Sequence, residues 1–281
     1  MAERVKARTN GRLIIQYLGG PEVIPAPQQA EAVRRGVIHF AITPIEYYEA
    51  LVQLGNSLTL SELLPDEERA AGVYDFLNEK HKPNGLYFLE RGTANLKPYN
   101  FNIITNKWVE KPQELANQKI GINTTLFIPA FQKIGIAPTT VQVPDMYPAL
   151  ERRVVDGVCD PLTNFVTAQM FQVCKYIVEP AMLRPASSML VNLESWNQLP
   201  PDLQATVTAV AKEVINEYMK EFDAEVVKAR QTLIDKGMKP TNFSAEDQAW
   251  FLKTIYDASW DDINKRYPDT VAKLRPLISK K

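Results

Sequence analysis

At 281 residues and 31.8 kDa, with 45% apolar and 23% charged residues, the chain has the balance of a soluble globular protein rather than a disordered one. A formal net charge of −1 excludes a basic field for nucleic acid or anionic lipid, and no apolar run reaches the length of a membrane span. The length suits one large domain or two lobes of ordinary size.

Residues 1–9 read as a helix with Val5 on its inner side, stopped by the turn dipeptide Asn10–Gly11. This opening has no apolar core and no small-residue cleavage site, so no signal peptide is read in it. Residues 12–18 (RLIIQYL) form a β-rich run, 26–35 a helix ending at Gly36, and 37–43 (VIHFAIT) a strand short and apolar enough to be buried on both faces. Helix, strand, helix, strand in that order predicts an α/β layer. Residues 66–80 are helical by pattern and 86–90 strand-like, and 100–105 (NFNIIT) begin a crossing towards a second lobe. Two strands, 175–178 and 188–193, flank a proline-bounded segment at 180–185 that reads as a second crossing. After Pro200–Pro201, apolar residues recur at helical spacing from Leu203 through Val214 to Leu233, until Gly237. A helix of that length spans about 50 Å at 1.5 Å per residue, long enough to pack against two lobes. Residues 245–266 and 269–277 read as amphipathic helices.

Catalytic signatures are sparse. None of the nucleophile-elbow, P-loop, dinucleotide or zinc-protease motifs occurs. Of the two histidines, His39 lies in an apolar strand, where it reads as structural, and His81 in the charged run 79–82, where it reads as a solvated helix end. The acids Asp66, Glu67 and Glu68 follow Pro65 and suit a first helical turn. Cys159 and Cys174 have neither zinc nor redox spacing; they read as two buried thiols, or as a pair in an oxidising compartment. Asp156 and Asp160, four apart in a strand, share a face and so are placed to point at one cleft. For Asp156 the competing reading is a turn with Gly157, and for Asp160 it is capping of the loop that Pro161 begins. The aromatic residues Tyr47, Tyr48, Phe101, Phe127, Tyr147 and Phe165 fall at or just after predicted strand ends, as core or as pocket lining.

The most informative stretch is 111–161: KPQELANQKIGIN, then GIAPTTVQVPDMYPALERRVVDGVCDP. It predicts strand, helix, strand, helix, strand, with ends at 121–124 and 157–160 offered to one sheet edge, where ligands of open α/β sheets bind. The stretch resembles the second lobe of the extracytoplasmic substrate-binding receptors of TRAP transporters, with their K-I-R-V and D-G-x-E-N-P motifs. RVKARTNGRLIIQ, AVRRGVIHFAIT and NLESWNQLPPDLQATVTAVAKE resemble further segments of that family, in the same order and near-constant spacing.

The resemblance implies a periplasmic, non-catalytic receptor of α/β class. Two lobes, residues 1–97 plus 187–226 and 98–186 plus 227–281, close on one small ligand and hand it to membrane subunits. Thr43, Thr124 and Asp160, at or just beyond the carboxyl ends of predicted strands, are the expected ligand-binding positions, with Ser187 of the second crossing at the mouth or hinge; the resemblance adds Phe101 and Gly121. Three departures stand out. The family's first strand of lobe I has no counterpart. Gly121 and Phe101 stand where the family commonly has arginines, and Asp160 stands where it has asparagine, preceded by Cys159 in place of an acid. The loss of guanidinium and the gain of carboxylate argue against a plain carboxylate ligand. Space at Gly121 beside Phe101 favours a bulkier neutral, aromatic or cationic compound, with a Ca²⁺-bridged acid as the alternative. Rival readings are an α/β enzyme using Asp156 or Asp160 as acid–base, and a degenerate receptor serving as a sensor module.

Overall fold

The computed structural model describes residues 1–93, 101–184 and 186–280. Its strands, in chain order, are β1 (Phe40–Pro44), β2 (Leu86–Gly92), β3 (Phe101–Thr105), β4 (Lys119–Ile122), β5 (Ala137–Thr140), β6 (Gly157–Pro161), β7 (Tyr176–Val178), β8 (Ser187–Asn192) and β9 (Lys239–Pro240). They belong to two compact units. The first comprises Met1–Thr93, Ala186–Lys220 and Arg266–Lys281; the second comprises Ala94–Pro185 and Glu221–Lys265. The expected boundary at 97/98 lies outside the described residues.

In the first unit β8 is central, antiparallel to β1 on one side and β2 on the other. A bulge between Phe88 and Glu90 shifts the β2 register, and Leu89, Glu90 and Arg91 are all buried. One core gathers Val5 of the first helix (Ala2–Arg8), Leu89, Met189 and Val191 of the sheet, and Val207, Val210 and Ile215. Residues 12–18 correct the sequence expectation. Leu13 and Ile15 pack on this core and Ile14 is exposed, a strand-like alternation, yet no described strand pairs with the segment. Ladder bonds, not propensity, make a strand. The strand expected at 37–43 is shorter and lies at a sheet edge with Ile42 half-exposed, so it is not buried on both faces.

The helix expected at 66–80 is two helices, Pro65–Ala70 and Val73–His81, separated at Gly72, whose φ of +79° suits glycine. The helix Pro268–Ile278 falls in the first unit, although residues 227–281 were expected with the second lobe. Its Thr270 hydroxyl donates to the Gln53 carbonyl (2.8 Å), and the Glu62 N–H donates to the Ile278 carbonyl (2.9 Å). Pro268 at the first turn cannot continue the preceding helix, so the chain is free to turn there.

The second unit holds the sheet β5-β4-β6-β3-β7-β9, in which β4 runs parallel to β5 and β6 while β3 is antiparallel to β6 and β7. Ile104, Val158, Phe165 and Ile177 form its core with Val226, Ala229 and Leu233. These last three come from the helix Pro201–Asp235, which also supplies Val207, Val210 and Ile215 to the first unit. One helix of 35 residues, about 50 Å long, therefore contributes to both cores.

Candidate functional site

Parallel β4, β5 and β6 end at one edge of the second sheet, and antiparallel β3 begins there, with Phe101 opposite Pro161 and Asn102 opposite Asp160. Asp160 is buried; its Oδ2 accepts from Asn164 Nδ2 at 2.8 Å. Asn164 lies in the first turn of Leu162–Thr167, four residues after Asp160, and its side chain reaches back to the strand end. Burial pushes the Asp160 carboxyl up to about 6, only partly offset by the Asn164 amide. Phe101 meets the Phe127 ring edge-on at 5.2 Å, and its carbonyl accepts from the Met182 N–H at 2.8 Å. Thr124 follows β4, where its hydroxyl oxygen accepts from the Leu126 N–H at 3.2 Å and caps the turn Thr125–Phe127. Phe101, Thr124 and Asp160 thus share one edge.

Gly121 does not leave the space expected of it. A Cβ there would stand 3.0 Å from Val158 Cγ1 and 3.2 Å from Val141 Cγ2, both side chains of the apolar core or packed on it. The position is filled by neighbouring valines rather than open to a ligand.

Thr43 and Ser187 lie at one edge of the first unit's sheet, with their side chains on opposite faces. Pro44 pairs with Ser187 and Thr43 with Ser188, while Gly92 pairs with Ser187 from the other side. Thr43 is fully buried, its hydroxyl 3.4 Å from the Ala26 carbonyl. Next to this edge Glu46 keeps Oε2 buried without a hydrogen-bond partner, and desolvation raises its pKa against the pull of its own backbone N–H. Thr93 Oγ1 is likewise buried and unpartnered. Sequence reading missed both, and Asn102 and Asn164 as well. A polar residue inside the apolar run NFNIIT was the one available signal.

The two histidines exchange the roles expected of them. His39 is exposed, in a bend before β1 rather than in a strand. His81 is fully buried, with Nδ1 2.6 Å from the Leu77 carbonyl and Nε2 3.2 Å from the Tyr48 hydroxyl. The helix Val73–His81 is followed by a further turn, Lys82–Asn84; Glu79 and Lys82 are exposed there, and His81 alone of the charged run 79–82 turns into the core.

Asp156 and Asp160 do not face one cleft. They lie at opposite ends of β6, about 13 Å apart at 3.3 Å per residue. Asp156 accepts from the Lys119 N–H at 2.8 Å and pairs with Lys107 at 3.1 Å; these outweigh its burial and hold its pKa below the usual carboxylate value. Cys159 and Cys174 are free and buried; burial raises the Cys159 thiol well above its ordinary pKa and pushes Cys174 up to about 12, so neither is a ready nucleophile. Among the aromatic candidates Tyr48, Phe127 and Phe165 are buried, Tyr147 donates to Gln172 Oε1 (2.9 Å), and Tyr47 is 45% exposed.

A resident metal does not fit. Among the described residues no group of three or more His, Cys, Asp or Glu could hold an ion. Asp160 offers one carboxylate, and Asn164 turns its amide nitrogen, not its oxygen, towards it, whereas Ca²⁺ takes six to eight oxygens.

Two α/β units, one long helix contributing to both cores, and polar residues at the strand ends of each unit form the scaffold of a solute-binding receptor. The chain belongs to the bacterial extracellular solute-binding proteins, family 7, whose family model matches residues 1–266. It is therefore a TRAP-type periplasmic receptor, non-catalytic, that binds small molecules. The chain is 24% identical to a monocarboxylate 2-oxoacid-binding periplasmic protein from Nostoc sp., with 94% of this chain and 74% of that protein covered. A TRAP periplasmic solute-binding protein from Rhodobacter sphaeroides shares the fold with a TM-score of 0.83 at 22% identity, covering 99% of this chain and 91% of the other. Another, from Desulfovibrio desulfuricans with bound sn-glycerol-3-phosphate, gives 0.82 at 20% identity over 100% and 91%. Among the described residues no helix is long and apolar enough to cross a membrane.

Proposed function

We propose that this chain is the receptor of a TRAP uptake system that binds one small molecule and passes it to the system's membrane subunits. Thr43 and Ser187 of the first unit and Phe101, Thr124 and Asp160 of the second are the residues assigned to ligand binding, with Gly121 contributing backbone only. The ligand is not a plain carboxylate held by an arginine at position 121. The observation that carries this reading is Asp160, a buried carboxylate at a sheet edge, beside which a second carboxylate meets like charge with little water to screen it. The relatives named for a 2-oxoacid and for sn-glycerol-3-phosphate take anions; Gly121 supplies no guanidinium for an arginine clamp at its own position.

The experiment is calorimetry on protein unfolded, dialysed free of ligand and refolded, titrated with pyruvate and acetate in chelator-treated buffer. No heat of binding is expected from either. Tight binding of either acid would overturn the charge assignment and leave the receptor assignment standing.

A further inference from the structure

Asn102 and Asp160 are directly opposite across the antiparallel pair β3–β6, so their side chains leave the same face of the sheet as nearest neighbours. Both are 2% exposed. Asn102 gives its amide nitrogen to the Val178 carbonyl at 2.9 Å, and its Oδ1 is buried with no hydrogen-bond partner. Asp160 receives one donor, from Asn164, onto Oδ2. Two neighbouring acceptors, one of them a carboxylate, are therefore answered by a single protein donor. A buried acceptor left unanswered costs about 1–3 kcal/mol, and more when charged. The deficit is one of donors and of positive charge, and it lies at the strand-end edge that Phe101 borders. An arginine or lysine would repair it from within, but among the described residues no cation pairs with Asp160, and none of the resolved ion pairs involves this edge.

We propose that Asn102 and Asp160 together form an ammonium-recognition subsite, with Asn102 as a specificity-determining residue, and that the ligand is a primary amine. The inference rests on the receptor reading above. A primary ammonium brings three N–H donors, enough for the Asp160 carboxylate and Asn102 Oδ1 with one to spare, and its charge matches the carboxylate. A quaternary ammonium has the charge without the N–H donors, and a polyol has donors without the charge. The two properties are therefore separable by choice of probe.

The test is a thermal-shift and calorimetric panel on ligand-stripped full-length protein in chelator-treated buffer. The probes are diamines, amino alcohols and amino sugars, against tetramethylammonium, xylitol, glycerol and acetate. At least one primary amine is expected to bind, with affinity lowered tenfold or more by Asn102→Leu and by Asp160→Asn, and retained in Asn102→Asp, which keeps an acceptor at that place. Circular dichroism checks that each variant folds, and if Asn102→Leu does not, Asp160→Asn and Asn102→Asp carry the comparison. Binding confined to tetramethylammonium, polyols or acetate would overturn the subsite while leaving the receptor reading intact. So would amine binding indifferent to Asn102→Leu and Asp160→Asn. If no probe of any class binds, the amine subsite is overturned, and the receptor reading then stands or falls on whether native mass spectrometry of the protein as purified finds a bound small molecule.

Discussion

The Tyr48 hydroxyl lies 3.2 Å from His81 Nε2 in the interior of the first unit, where both side chains are buried. The Leu77 carbonyl, 2.6 Å from Nδ1, can only accept, so Nδ1 holds the proton and Nε2 is left as an acceptor for Tyr48. Ser188 Oγ is 2.5 Å from the same hydroxyl, which ties the helix end to the central strand β8. This histidine is a neutral structural element, and burial lowers its pKa to about 4.

A depressed folded-state pKa means that the unfolded chain binds the extra proton first. The His81 contribution to stability is complete above the ordinary 6.5 and is lost as the pH falls through about 4. The full effect is on the order of 3 kcal/mol. Urea unfolding between pH 4 and 8 should show it as a slope that His81→Gln flattens. An unchanged slope in that variant would mean the acid sensitivity arises elsewhere.

Asp160 acts in the opposite sense. Its folded-state pKa is raised from 3.8 to about 6, so its penalty is absent below 3.8 and is felt as the pH rises through 6. Asp160→Asn should therefore be more stable than the wild type at pH 8, by up to about 2–3 kcal/mol, with the gain vanishing near pH 4. A stability difference that is the same at both pH values would show that the carboxylate is well solvated.

Glu68 and Arg91 are both fully buried, 3.1 Å apart, with Arg91 also donating to the Leu58 carbonyl at 2.7 Å and Ser61 donating to Glu68. Removing one charge strands the other. Glu68→Leu or Arg91→Met alone should cost about 3–5 kcal/mol, while the two combined should cost much less than the sum of the single changes. Chemical denaturation of the four members of that cycle measures the coupling, and simple additivity would show that the pair is not an energetic unit.

At Gly121 even one methyl group must displace Val158 and Val141. Gly121→Ala should lose about 1–3 kcal/mol by overpacking. Gly121→Arg should lose more and gain no affinity for pyruvate, since its side chain starts into the core. A stable Gly121→Arg protein that binds pyruvate would place position 121 at the ligand after all.

Val214 lies within the long helix and packs on the first unit's core. Val214→Pro should remove a helix hydrogen bond and cost about 3 kcal/mol or more, read as a fall in Tm. An unaltered Tm would count against a continuous helix there.

Much of the architecture was legible because it is local. The apolar spacing of Leu203 to Leu233 needs no tertiary information to mark a helix, and neither does the strand that carries Asp160 and ends at Pro161. Family motifs spread along the chain in constant order carried the class of protein for the same reason. What sequence could not supply was pairing. RLIIQYL has the composition of a strand and packs like one, but it lacks a described neighbour to share its backbone hydrogen bonds. His81 sits among charges in sequence yet is buried beneath Tyr48 and Phe88.

The same division holds for the candidate site. Sequence by itself determined that an acid stands at 160 where an amide is usual and that glycine stands at 121, because residue identity needs no coordinates. Only the tertiary structure decided that valines close the space at Gly121, that Asp156 is spent on Lys119 and Lys107 at the far end of the strand, and that Asn102 faces Asp160. Each of those depends on strand register, which joins residues tens of positions apart and is set by the packing of the whole sheet.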